Sequence, residues 1–180
     1  MIFSQDARKL ALTAHIVASV GWLGAVAAFF ALALVGLCAG DPLAGRAAYL
    51  AMESLGWLVI VPFAISSLVT GVVESLGTSW GLLRHYWVVI KLVLTALATV
   101  VLLIHMRPIG LVAEAATQHA LASGELRGLR LQLVGDAAAA LLILLVATVL
   151  GVYKPRGMTR YGRSELASRR DVGRPSANAT

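Results

Sequence analysis

The chain alternates long apolar runs with short polar breaks, a pattern that predicts four membrane-spanning helices. A helix rises 1.5 Å per residue, so about 20 apolar residues cross a hydrocarbon layer roughly 30 Å thick. Four runs are at least this long: Leu10 to Ala39, Ala47 to Leu76, Tyr86 to Met106 and Leu131 to Tyr153. We therefore predict an all-α fold, an integral membrane four-helix bundle.

The breaks contain residues that end or bend helices. Gly40, Asp41 and Pro42 predict a tight turn after the first run. The first run is too long for the core of a cleavable signal peptide, so we expect it to be retained as a membrane helix. Pro62 stands near the middle of the second run, where the missing backbone hydrogen bond usually kinks a helix. Pro108 is predicted to close the third span.

The two remaining segments are more polar. Residues 109–130 mix charged side chains with alanines, which predicts a short interfacial helix between spans 3 and 4. Residues 154–180 are rich in Arg, Ser, Gly and Pro and have little to bury. We therefore expect a four-span bundle over residues 1–153 and a basic, disordered cytoplasmic tail over residues 154–180.

Composition excludes an ordinary soluble domain. Of the 180 residues, 59% are hydrophobic and only 13% are charged, so lipid must cover most of the surface. Cys38 is the only cysteine, which excludes an internal disulfide and a multi-cysteine metal site. The net charge of +6 comes mainly from the tail, where seven of the fifteen Lys and Arg follow Tyr153. This location favours contact with anionic lipid and argues against nucleic acid.

The distribution of Lys and Arg predicts the orientation. Arg8, Lys9, Arg84 and the seven tail residues give ten on one side, and Arg46, Arg107, Arg127 and Arg130 give four on the other. Because cytoplasmic loops carry the excess of positive charge, both termini are predicted to be cytoplasmic. The tail decides this count, since without it the two sides have three and four.

Polar residues inside the spans are the candidates for function, because a charge near the centre of a span costs about 2.5–3.5 kcal/mol. Sorted by depth they form two layers. The cytoplasmic layer contains His15, Thr70, Glu74, His85 and Lys91, and the outer layer contains Glu53, His105, Arg107 and Asp136. His15, Ser19 and Trp22 share one helix face, with Gly21 and Gly24 towards the other side, where they permit close helix contact.

These residues also have ordinary explanations. His15 and His105 suit hydrogen-bonded histidines near the two interfaces, Lys91 can snorkel to the cytoplasmic boundary, and an ion pair of Glu74 with Lys91 would be structural. The sequence contains no Walker loop, dinucleotide glycine fingerprint, HExxH helix or serine nucleophile elbow. Histidines within a helical membrane bundle favour haem among metal-containing cofactors, with His15 and His105 as candidate metal ligands. Only His85 lies at a depth similar to that of His15.

The first helix reads His15-Ile-Val-Ala-Ser-Val-Gly-Trp22-Leu-Gly24 and is followed by Pro62, Thr70-Gly71, Trp87, Lys91 and His105. From Ala14 to His105 the chain resembles a group of bacterial four-helix membrane families. The group includes copper-resistance-D-like proteins, an uncharacterised predicted-integral-membrane family and J-type protoporphyrinogen oxidases. The resemblance implies a bacterial inner (plasma) membrane, haem b as cofactor and functional importance for His15 and Lys91. The segment LRGLRLQLVGD, from Leu126 to Asp136, departs from the Asn-Glu-Pro-like motif of those oxidases and favours a relative of unknown activity.

The sequence supports three hypotheses. The first is a haem-binding, redox-active membrane protein whose cofactor contacts His15, Trp22, Glu74 and Lys91, with Lys91 binding a propionate or modulating the site. The second is a copper or small-solute permease, whose metal ligands would come from the soft or imidazole side chains expected near the outer face. These are Cys38, Met52, His105, Met106 and His119. The third is a non-catalytic accessory subunit that joins a homo-oligomer or a larger membrane complex.

Overall fold

The computed structural model describes residues 4–77, 85–118 and 124–153, together with residues 157, 159, 160, 163 and 164. The tail predicted to be disordered lies largely outside these residues, and the candidate ligand His119 lies entirely outside them. The described elements, in chain order, are α1 (Gln5–Cys38), α2 (Pro42–Leu55), a π-helical turn (Gly56–Ile60), α3 (Val61–Gly77), α4 (Tyr86–Thr117) and α5 (Gly124–Tyr153).

The prediction of four spans is confirmed. Among the described residues, four helical segments are long and apolar enough to cross a membrane: Gln5–Cys38, Pro42–Gly77, Tyr86–Thr117 and Leu126–Tyr153. The second of these is α2, the π-helical turn and α3 in succession. The chain is thus an all-α, multi-pass membrane protein, and its exposed leucines, valines and isoleucines face lipid.

The predicted turn before the second span is confirmed in detail. The Asp41 side chain accepts hydrogen bonds from the backbone N–H groups of Leu43 and Ala44, and Pro42 occupies the first helical turn. An aspartate N-cap followed by proline is a strong helix start, because the carboxylate satisfies free N–H groups and proline lacks one.

The irregularity predicted at Pro62 takes the form of the π-helical turn. Proline lacks the N–H that a regular helix requires and its ring crowds the carbonyl four residues earlier. The chain widens its turns immediately before Pro62, and the Val61 N–H donates to Gly56 O, five residues back. Span 2 therefore stays helical from Pro42 to Gly77.

The predicted interfacial helix is wrong, and so is the prediction that Pro108 closes span 3. Helix α4 continues through Pro108 to Thr117, and α5 begins at Gly124, so residues 109–130 mostly extend the two spans. The extension is held by its apolar side, since Val112 and Ala116 are fully buried in the bundle core. Burial of this stripe outweighs the single backbone hydrogen bond lost at the proline.

The spans pack as an up-and-down bundle in which sequence neighbours are also spatial neighbours. Helix α1 packs against span 2 and α5, and α4 packs against span 2 and α5, so α1 and α4 are diagonally opposite. One end of the bundle carries the start of α1 and the end of α5, and we call it the terminal end. The other end carries the turn between α1 and α2, the end of α4 and the start of α5, and we call it the turn end.

Two arginines cap helices at the turn end. Arg130 of α5 donates through Nη2 to Gly36 O and through Nε to the Tyr49 hydroxyl, and its guanidinium stacks 5.5 Å from the Tyr49 ring centroid. Arg46 of α2 donates from Nε to Ala116 O, in the last turn of α4. A helix leaves its last carbonyls without partners and is negative at its C-terminus, so both arginines stabilise helix ends.

The glycines of α1 differ sharply in their surroundings. A Cβ at Gly21 would lie 2.9 Å from Phe63 Cζ, which confirms the predicted close helix contact there. Gly24 is exposed and a Cβ on it would meet nothing within 4 Å, so the same prediction is wrong for Gly24. Gly36 is the tightest, because its Cβ would lie 2.6 Å from Tyr49 Cζ.

We expect Gly36→Ala to lower the free energy of unfolding by about 1–3 kcal/mol, the usual range for overpacking. Tyr49 is 1% exposed and cannot swing away from the added methyl group. Equilibrium unfolding in mixed micelles measures the effect. Gly24→Ala is the matched control in the same helix and should leave stability unchanged or slightly raised. Equal stabilities for the two variants would contradict the packing described.

Candidate functional site

A cavity of about 410 Å³, partly open at the surface of the bundle, lies in the half nearer the terminal end. Side chains from α1, α3, α4 and α5 line it, and most of them are apolar. The polar exceptions include Glu74, Thr95 and four residues that hydrogen bonds connect: His15, Ser19, Ser67 and Lys91. A mostly apolar cavity of this size with a few convergent polar groups is the usual form of a small-molecule site.

His15 is 8% exposed, and its hydrogen bonds determine which ring nitrogen carries the proton. Its Nδ1 lies 3.1 Å from Ser67 O and 3.1 Å from Thr70 Oγ1. The Thr70 hydroxyl donates to Ser66 O at 2.6 Å, so it meets His15 as an acceptor. Because both neighbours accept, Nδ1 carries the hydrogen and the lone pair lies on Nε2.

Lys91 meets this lone pair from the opposite helix. Its Nζ lies 3.1 Å from His15 Nε2, so the contact spans the diagonal of the bundle between α1 and α4. Glu74 lines the same cavity, but the predicted ion pair does not form between Glu74 and Lys91, two residues that the structure describes. The amine therefore lies beside the imidazole rather than beside the carboxylate.

Two glycines allow this contact by leaving room around it. A Cβ at Gly71 of α3 would lie 3.1 Å from His15 Cε1, and one at Gly151 of α5 would lie 3.4 Å from Lys91 Nζ. Ser19 and Ser67 hydrogen-bond to each other at 2.8 Å between α1 and α3. The histidine and the lysine are therefore confined by the helices on either side of them.

The structure brings together the four residues proposed from sequence as cofactor contacts. His15, Trp22, Glu74 and Lys91 all line the one cavity, and Trp22 is 3% exposed. A cofactor role for these four residues stays a prediction. His85, another member of the predicted cytoplasmic layer, is the N-cap residue of α4.

Sequence reasoning missed two features of this site. The Ser67 carbonyl orients His15, but a backbone acceptor leaves no mark on residue type. Gly151 leaves room for Lys91 from α5, a helix that contributes no residue to the predicted inner layer. The only available signal was that Gly151 is the last small residue before the apolar run ends.

The outer layer separates into two places at the turn-end half. Glu53 and Arg107 line an open groove of about 590 Å³ between α2 and α4, together with Glu114. His105 and Asp136 meet on another face, between α4 and α5, where His105 Nε2 lies 2.9 Å from Asp136 Oδ2. The outer residues therefore do not form one site.

The two candidate metal ligands are also in different sites. His15 contacts Lys91, and His105 follows Lys91 by 14 residues on α4, which is about 21 Å along the axis. Of the candidate copper ligands, Met52 and Met106 are buried in the hydrophobic core, while Cys38 is exposed. Within the described ranges, no group of three or more His, Cys, Asp or Glu side chains is placed to hold a metal ion.

No protein-family model, curated protein or solved structure matches this chain. A function for the protein therefore has to be inferred from the geometry of the cavity.

Proposed function

We propose that the protein binds haem b in the cavity between α1, α3, α4 and α5, where His15 would hold the iron through Nε2. The observation that carries the proposal is the fixed tautomer of His15. Its Nδ1–H is donated to Ser67 O, so the lone pair of Nε2 is directed into the cavity. Metal-ligating histidines almost always have their second ring nitrogen held by a carbonyl or carboxylate in this way.

The remaining walls suit a porphyrin. Trp22 and Trp87 supply flat aromatic surface, and leucines of α1, α3, α4 and α5 supply aliphatic surface. Lys91 supplies a positive charge within the cavity, and a propionate is the group on haem that such a charge attracts. The cavity therefore offers haem one imidazole, one cation and mostly apolar walls, with Glu74 as the one carboxylate among its lining residues.

Lys91 must change position for this to occur, because its Nζ occupies the direction of the Nε2 lone pair at 3.1 Å. The lysine side chain has a flexible four-carbon stem, so the ammonium can turn towards a propionate while the helices stay in place. When bound, haem supplies one-electron redox chemistry. The residues of the chain would hold the ring between apolar walls, with His15 at the iron and Lys91 at a propionate.

Titration of the purified protein with haemin tests the proposal. We expect a shifted Soret band that saturates at one haem per chain, since one cavity contains one suitable imidazole. A spectrum that stays that of free haemin in detergent, at every ratio, would contradict the proposal.

We also propose that the protein lies in a bacterial plasma membrane with both termini in the cytoplasm and the basic tail at anionic lipid. The ten-to-four count of Lys and Arg supports this orientation. The even number of spans supports placing both termini on one side.

Cys38 provides a direct test of orientation. It is the only cysteine, it is exposed, and it ends α1 at the turn end. A membrane-impermeant maleimide should therefore label intact spheroplasts of the native protein. A Cys38→Ser, Ser4→Cys variant, with its thiol at the start of α1, should react only after lysis. The reverse pattern would show that the termini are outside.

A further inference from the structure

A second cluster of metal-ligating side chains lies outside the proposed haem cavity. His105 of α4 and Asp136 of α5 meet in the turn-end half of the bundle, and Gln132 lies one turn before Asp136 on α5. The His105 side chain is 23% exposed and the Asp136 side chain is 37% exposed, so the cluster is half-buried and accessible from one side.

His105 has a fixed tautomer, as His15 does. Its Nδ1 lies 2.7 Å from Val101 O, so Nδ1–H donates to this carbonyl of the preceding turn. In the neutral ring the lone pair is then on Nε2, which faces Asp136 Oδ2 at 2.9 Å. Metal-ligating histidines almost always have their other ring nitrogen held in this way, and Asp136 then brings a carboxylate, a second possible ligand, next to Nε2.

Asp136 Oδ2 is the unusual atom of this cluster. It is buried and has no hydrogen-bond partner among the described residues, although Nε2 is 2.9 Å away. The two atoms do not have hydrogen-bond geometry, so a proton between them is poorly placed. Two lone pairs this close repel each other unless a positive charge lies beside them. A metal ion bound by both atoms would supply that charge without a proton on the line between them.

Gln132 can supply a third donor. Its side-chain amide nitrogen lies 3.4 Å from His105 Nε2, and turning the amide by 180° places the oxygen there instead. Donors of a tetrahedral zinc ion, with bonds of about 2.1 Å, lie about 3.4 Å apart. His105 and Asp136 therefore need to separate by only about half an ångström to hold one ion.

We propose that His105 Nε2, Asp136 Oδ2 and the Gln132 amide oxygen bind one divalent transition-metal ion of the zinc class. The set is one imidazole, one carboxylate and one amide, and water would complete the coordination. The cluster is distinct from the His15 cavity, so this site neither requires haem nor competes with it.

Titration with Co²⁺, a coloured stand-in for Zn²⁺, tests the site in the metal-stripped full chain. His85→Ala and His119→Ala are introduced into every sample, so that neither imidazole contributes to the signal. We expect one Co²⁺ per chain, displaced by Zn²⁺. Asp136→Asn preserves the shape of the side chain but removes its charge, and should weaken binding at least tenfold. His105→Ala should weaken it at least as much.

His15→Ala is the matched control, because it removes an imidazole from the other cavity, and it should bind Co²⁺ as the parent does. Three results would overturn the proposal: no Co²⁺ binding by the parent, unchanged affinity in both Asp136→Asn and His105→Ala, or a loss confined to His15→Ala. The haemin titration is independent of each of these results.

Discussion

His15→Ala is expected to weaken haem binding by about 100-fold or more, since loss of a supporting contact alone costs 10–100-fold at such sites. The variant loses the one imidazole that the described residues place in the cavity with its Nε2 lone pair directed inwards. It also removes the group beside which Lys91 Nζ lies. Haemin titration of purified protein, followed at the Soret band, measures the change.

Two controls separate ligation from general damage. His105→Ala removes a histidine at the other site and should leave haem affinity within about twofold, because it lies about 21 Å along α4 from Lys91. Lys91→Met keeps length but removes the charge, and should weaken binding less than His15→Ala does. Equal haem affinity in the parent and in His15→Ala would refute the assigned ligand.

Arg130→Ala is expected to lower the free energy of unfolding by about 2–3 kcal/mol, the scale of hydrogen bonds to a charged group. The change leaves Gly36 O and the Tyr49 hydroxyl without their donor and removes the stacking on the Tyr49 ring. Tyr49 is 1% exposed, so water replaces the guanidinium poorly. Equilibrium unfolding in mixed micelles measures the loss.

Arg127→Ala is the matched control, because Arg127 lies one turn earlier on α5 and is exposed. It should change the free energy of unfolding by less than about 0.5 kcal/mol. Similar effects of the two substitutions would contradict the capping role of Arg130 and indicate that only the charge matters.

The capping roles of Arg46 and Arg130 also change what the count of Lys and Arg says about orientation. Arg46 and Arg130 make up half of the positive charge counted on the side predicted to be outer, and both cap carbonyls of helices that end at the turn end. The position of each arginine is therefore explained by the helix end that it caps, on whichever side of the membrane that end lies. With these two set aside, the three non-tail residues on the terminal side exceed the remaining two, Arg107 and Arg127.

The spans were predictable because their signal is local and strong. A run of twenty or more apolar residues has few stable arrangements other than a membrane-spanning helix. The N-cap at Asp41 is local as well, since it lies within three residues of the N–H groups that donate to it. The segment 109–130 was not, because its helical state depends on Val112 and Ala116 packing into the core. Tertiary burial of this kind overrides a proline such as Pro108 and is not visible in local polarity.

For the candidate site, the sequence predicted the depth of the polar residues in the membrane but not their contacts. Helix rise placed His15, Glu74 and Lys91 in one layer. It could not show that Lys91 would contact His15 rather than Glu74, because that choice depends on which spans are diagonal in the bundle. For the same reason it joined Glu53 to His105 in one outer layer, whereas Glu53 of α2 lies beside one face of α4 and His105 lies on another, towards α5.

Rescue of a His15→Gly variant by free imidazole tests the central claim most directly. The substitution leaves a space the size of the lost ring beside Ser67 O and Lys91. We predict that His15→Gly lacks the parent Soret spectrum and that added imidazole restores it, while Lys91→Met needs no imidazole. A parent-like spectrum of His15→Gly without imidazole would show that another residue ligates the haem and would contradict the account.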